Sequence, residues 1–209
     1  MDRQEQLREE LEVLQARVEK LESELATEPG EWPPRGYYTA YYAVTGALLG
    51  FFGATTSLVF NIVGSLVWPP LGGTTQHPLR LIQVYLTFPF GKSALEIDNG
   101  ITLAIGCCLY LATGMLYGML FQLVLTRFAP RALLGRRLVL ASLLAIAIWL
   151  VNFYGILIWL QPLLIGGSWI IDLVPPWVAA LTHLVFGWTM ALLYPLGLFV
   201  PYGATAEKQ

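Results

Sequence analysis

The chain has 209 residues, of which 56% are hydrophobic and only 12% are charged. That charged share is about half the level of an ordinary soluble domain, which excludes a conventional water-soluble globule. The net charge of -2 gives no reason to expect a nucleic-acid partner.

Charge is segregated along the sequence. Residues 1–35 hold ten of the 14 Asp and Glu and five of the 12 Lys and Arg. The opening run Met1-Asp2-Arg3-Gln4-Glu5 is polar and acidic, unlike a secretory signal peptide, so insertion is expected to use internal helices. Within 1–28, Leu7, Leu11, Leu14, Val18, Leu21 and Leu25 recur at alternating spacings of four and three. This pattern places Leu11, Val18 and Leu25 at a positions and Leu7, Leu14 and Leu21 at d positions of a coiled-coil seam, the expected interaction element of the chain. Three heptads are marginal alone, because helix nucleation is unfavourable and few layers offset it, although membrane tethering raises the effective concentration.

The flanking charges do not choose a partner for this seam. In a parallel homodimer Arg3 would face Arg8, Glu10 would face Gln15 and Arg17 would face Glu22, giving one repulsion, one neutral pair and one attraction. Self-association, pairing with another chain, and an amphipathic helix lying on the protein's own cytoplasmic face all stay open. Residues 29–36 form a Pro/Gly linker, since Pro29, Pro33 and Pro34 deny a helix its backbone donors.

Four uncharged runs follow, at 36–79, 100–126, 138–171 and 173–206. Each exceeds the roughly 20 residues needed to cross a hydrocarbon core. The expected fold is therefore all-α: a polytopic membrane protein whose 37–202 domain is a four-transmembrane-helix bundle, preceded by the N-terminal coiled-coil helix. Spans are expected near 39–67, 100–125, 138–160 and 177–200, followed by a cytoplasmic tail at 203–209. The first span would measure roughly 43 Å and must tilt or project. Gly46 and Gly50, Gly114 and Gly118, and Gly187 and Ala191 form small-xxx-small pairs. Such pairs let helix backbones approach closely in lipid, and contacts within one bundle are expected rather than a subunit interface.

Loop charge predicts the orientation. The 126–138 loop carries Arg127, Arg131, Arg136 and Arg137 with no acidic residue, which marks it as cytoplasmic. Both termini are then cytoplasmic, and the 69–98 and 161–176 connections lie outside. Tyr37, Tyr38, Tyr41 and Tyr42 at one edge, and Trp68, Trp159, Trp169 and Trp177 toward the other, agree with interfacial belts. Within the outer connection, the apolar stretch 79–90 is too short to cross and reads as an interfacial or re-entrant element. Pro69-Pro70 and Pro175-Pro176 punctuate the outer ends, so the two outer connections form either a common cap or simple loop closures. The expected location is a bacterial inner membrane.

Candidate chemistry is sparse. His183 lies about six residues into the fourth span, at a depth where an ionisable side chain calls for a named partner. Asp172, Asn152 and Gln161 are candidates, and a neutral, hydrogen-bonded histidine joining helices is the plain alternative. No cofactor is predicted. Haem is a subsidiary alternative that would require His77 in the outer connection as a second ligand to His183. The adjacent Cys107 and Cys108 lack the spacing of a metal site and read as small packing residues, with redox or acylation chemistry as the alternative.

No phosphate-binding glycine loop, HExxH pair, GxSxG elbow or CxxC pair occurs. The four apolar cores contain no Asp, Glu, Lys or Arg, which argues against ion-coupled pumping. Enzymatic activity is left open, with nothing in favour of it.

Two functional readings result. The first is a non-catalytic accessory or assembly subunit of a larger membrane complex, whose partners are the bilayer and other subunits or its own copies through the coiled coil. The alternative is a small channel, carrier or cofactor-binding membrane protein with a site around His183, drawing on Asn61, Gln122, Asn152 and Gln161.

Overall fold

The computed structural model describes residues 3–27, 35–67, 78–130 and 132–199. Helices dominate, and no strand occurs among the described residues. The chain divides into two compact units between Tyr38 and Thr39.

The first unit contains one long helix, α1 (Arg3–Thr27). Leu11, Leu14, Val18 and Leu21 are all between 50% and 61% exposed, so this part of the leucine seam is uncovered in the single chain. The side chains of Leu7 and Leu25 lie outside the described residues.

The second unit contains α2 (Arg35–Val67, entering it at Thr39), α3 (Arg80–Phe90), a 3-10 turn (Gly91–Glu96) and α4 (Gly100–Phe128). It continues through α5 (Leu134–Leu150), a π-helical turn (Val151–Leu157), α6 (Ile158–Ile165), α7 (Trp169–Leu173) and α8 (Pro176–Leu193), ending in a 3-10 turn (Tyr194–Gly197). Because α5, the π turn and α6 run on without a break, four helical stretches are long and apolar enough to cross a bilayer: Tyr38–Leu66, Gly100–Phe128, Leu134–Ile165 and Pro176–Gly197. This is an integral membrane architecture. Leu116, Val139, Leu143 and Leu163 are 62–72% exposed, an outward apolar surface that suits hydrocarbon and not water.

Local chemistry sets the ends of these helices. Asn99 accepts the Ile101 N–H at 2.9 Å and caps α4. Pro176 occupies the first turn of α8, where its missing N–H leaves no bond unmade. Gly166, at φ +80°, ends α6 in the left-handed region that a glycine enters without strain.

The spanning helices run alternately up and down. Gly46 and Gly50 of α2 meet Gly118 and Gly114 of α4 in antiparallel register: a Cβ built on Gly46 would stand 2.7 Å from Gly118 O. A Cβ on Gly50 would meet Gly118 Cα at 2.8 Å and press on Gly114 O as well. Absence of side chains is what brings the two backbones together, as the small-residue spacing implies. Gly187 of α8 plays the same part against α5, where its Cβ would lie 3.0 Å from Ala141 O and 3.1 Å from Ala145 Cβ. Leu49, Phe121, Ala141, Ala145, Ile148, Met190 and Ala191 fill the space between these seams as a buried core.

The short helix α3 does not lie free on the surface. Ile82 and Leu86 are fully buried against α4, where Gly106 leaves room for them: its Cβ would stand 2.6 Å from Ile82 Cγ2. On its other side, Val84 packs with Ile170 and Val174 of the α7 region. The two connections at this end of the bundle therefore meet each other.

Candidate functional site

Polar side chains in the bundle tie the helices together pairwise, as burial away from water demands. Asn61 of α2 and Thr182 of α8 bond at 2.9 Å. Ser57 of α2 meets Tyr110 of α4 at 2.9 Å, and Tyr85 of α3 meets Thr113 of α4 at 2.7 Å. Gln161 of α6, fully buried, donates to Thr87 Oγ1 at 3.0 Å and accepts from the Ile170 N–H at 3.1 Å, so one amide joins α6 to both α3 and α7. Gln122 of α4 is fully buried beside Gly197, and its amide has no hydrogen-bond partner among the described residues.

Between these bonded layers lies a cavity of about 630 Å³, in the half of the bundle that carries α3. Its volume falls within the range of small-molecule sites. Every spanning helix contributes to its wall, with Ser57 from α2, Tyr110 and Tyr117 from α4, Asn152 and Phe153 from the π turn, and Thr182 and His183 from α8. Among the described residues, no Asp, Glu, Lys or Arg lines it. Leu109 and Leu116 of α4 and Ile156 of the π turn line the cavity and are also 46%, 64% and 37% exposed. The cavity therefore opens sideways, between α4 and the π turn, onto the surface that faces hydrocarbon.

The π turn brings Asn152 to this opening. A π turn closes i→i+5 bonds and so takes in one residue more than an α turn, and such turns recur at functional sites. Here the Tyr117 hydroxyl donates to Asn152 Oδ1 at 2.9 Å across the gap between α4 and the π turn.

His183 stands on α8, half-buried, with its ring edge-on to Phe153 at a centroid separation of 6.3 Å. Its Nδ1 bonds the Ala179 carbonyl one turn back at 2.8 Å; none of the expected partners Asp172, Asn152 and Gln161 takes that place. The helix backbone supplies the bond without any second helix. Nε2 has no hydrogen-bond partner among the described residues. Asp172 is exposed at the end of the bundle, and Gln161 is committed to the cap. His77 lies outside the described residues.

Of the four amides singled out in the sequence, only Asn152 reaches the cavity together with His183. Cys107 and Cys108 are free thiols on α4, and among the described residues no three His, Cys, Asp or Glu gather as metal ligands. Two tyrosines of α4, Tyr110 and Tyr117, also reach the cavity. Tyr110, Thr113 and Tyr117 recur at i, i+3 and i+7, a polar stripe on one face of an otherwise apolar helix, and that spacing was the available signal.

Comparison with known proteins finds no family model, curated protein or solved structure that matches this chain. Fold and cavity define it as a four-span integral membrane protein with a laterally open, uncharged internal chamber.

Proposed function

We propose that this chain binds an uncharged lipophilic small molecule inside its membrane bundle, at a site around His183 and Asn152, and admits it from the hydrocarbon between α4 and the π turn. The observation that carries this reading is the cavity itself, about 630 Å³ with exposed leucines at its mouth and, among the described residues, no charged side chain in its wall. An apolar chamber open to lipid suits a solute that partitions into lipid, whereas an ion would lose its hydration there with nothing to replace it. The four arginines of the 126–138 loop favour a cytoplasmic position for that end, with both termini cytoplasmic and α3 outside; the membrane proposed is a bacterial inner membrane.

Ala112 is exposed on α4 and lines the same opening, so Ala112→Trp should block it without touching the helix seams. A diazirine-bearing alkane, irradiated with the protein in lipid nanodiscs, should label peptides around Tyr117 and Asn152 in the parent protein and lose at least about nine-tenths of that labelling in the variant. Equal labelling in both would refute the reading.

A second reading rests on a separate observation, the uncovered leucines of α1. A helix with an exposed a/d seam favours a coiled coil with another helix, which would make the chain an accessory or assembly subunit of a larger membrane complex.

A further inference from the structure

We infer that the molecule held in this cavity carries a hydroxyl group; the inference rests on the binding function proposed above and specifies its ligand. Most of the polar wall is already paired. Ser57 donates to Ala54 O and takes a bond from Tyr110, while Thr113 donates to Leu109 O and takes one from Tyr85. Thr182 is engaged with Asn61 and Val178 O, and Tyr117 with Asn152. The tyrosine oxygens of this wall keep acceptor lone pairs but are each held in one bond already; among the described residues, the two nitrogen functions of the wall without any bond are Asn152 Nδ2 and His183 Nε2.

The bonds these two residues already make settle what the leftovers can do. A carbonyl oxygen only accepts, so the 2.8 Å contact to Ala179 O places the proton of the neutral imidazole on Nδ1. Nε2 is then a bare lone pair and calls for a donor. Asn152 accepts the Tyr117 proton through Oδ1, so its Nδ2 hydrogens call for an acceptor.

The two positions lie on neighbouring stretches of helix. Gly187 packs against Ala145 in antiparallel register, and the same register carried along both helices brings Phe153, next to Asn152, against the His183 ring. One small group satisfies both demands if it is at once donor and acceptor, which is what an alcohol or phenol hydroxyl offers. An ether or ketone supplies acceptors alone and would leave Nε2 unmatched. A carboxylate would enter a wall with no cation to balance it.

Two diazirine probes of equal chain length, a primary alkanol and its methyl ether, separate these cases in the full-length protein in nanodiscs. The alkanol should label the peptides around Tyr117 and Asn152 at about tenfold lower concentration than the ether, the worth of one matched hydrogen bond in a dry site. His183→Phe, which keeps a planar ring beside Phe153, should erase that preference by weakening the alkanol alone. Asn152→Leu should weaken alkanol and ether together, because both oxygens accept from Nδ2. Equal labelling by the two probes in the parent protein would overturn the hydroxyl assignment while leaving lipophile binding intact. Labelling by neither, or labelling undiminished by Ala112→Trp, would overturn the binding function as well.

Discussion

Tyr117 of α4 donates its hydroxyl proton to Asn152 Oδ1 at 2.9 Å, and this bond joins α4 to the π turn at the mouth of the cavity. The relationship does two things at once. It holds the helices on either side of the opening at a set separation, and it commits the Asn152 carbonyl oxygen, which leaves the amide N–H groups without a partner among the described residues.

Removing the hydroxyl with Tyr117→Phe should lower the unfolding free energy by about 1 kcal/mol, the usual scale for an interhelical bond within a membrane bundle. Asn152→Leu should cost a similar amount. The double variant should cost less than the sum, since both singles break one shared bond. Thermal or denaturant unfolding in a mild detergent measures all three, and strict additivity would mean that the bond contributes nothing to stability.

The glycine seam between α2 and α4 should tolerate no side chain. At Gly50 a methyl meets the backbone of Gly118, and at Gly46 it meets the Gly118 carbonyl oxygen at 2.7 Å, so neither helix can yield by turning a side chain. Gly50→Val should force the helices apart and destabilise the bundle by several kcal/mol, in the upper range of overpacking effects. Gly64, on the same helix, has nothing within 4 Å of a built Cβ. Gly64→Ala should therefore change stability by less than about 1 kcal/mol, and in the stabilising direction, because alanine favours helix. Recovery of folded, monodisperse protein from size-exclusion chromatography tests the contrast; equal recovery of both variants would show that the seam is not close-packed.

The exposed leucines of α1 make a prediction confined to the first unit. Leu14 and Val18 are 61% and 53% exposed, so replacing both with Glu takes away little buried surface among the described residues. The transmembrane unit should keep its thermal midpoint. Any assembly through α1 should be lost, since charges at a and d positions are incompatible with a desolvated seam. Native mass analysis of gently extracted protein reads the outcome, and an unchanged assembly state would remove α1 as the interaction element.

Membrane class and the number of long apolar helices follow from where the charges fall: four uncharged runs that long cannot be hidden in water by a chain of this size, so the four apolar helices were legible. The spacing of Gly46 with Gly50 and of Gly114 with Gly118 was likewise sufficient to mark faces of close approach, because the absence of a side chain is itself a sequence property. His183 and Asn152 could be named as unusual for their depth.

Which partners they take was decided only by tertiary structure. The Ala179 carbonyl, invisible to any side-chain pattern, fixes the His183 proton on Nδ1. Tyr117 claims Asn152 because an up-and-down register and a π turn bring together residues 35 positions apart. Gln161 makes its two bonds with Thr87 of α3 and the Ile170 N–H of α7, partners that no side-chain pattern announces. Part of the cavity wall shows in the sequence as the polar stripe Tyr110, Thr113 and Tyr117, but the open space itself has no linear signature. Periodicity records which faces of a helix are apolar, and it is silent on whether two apolar faces touch or stand apart. That separation comes from the packing of α3 and the π turn against the rest of the bundle, a sum of contacts between segments distant in sequence.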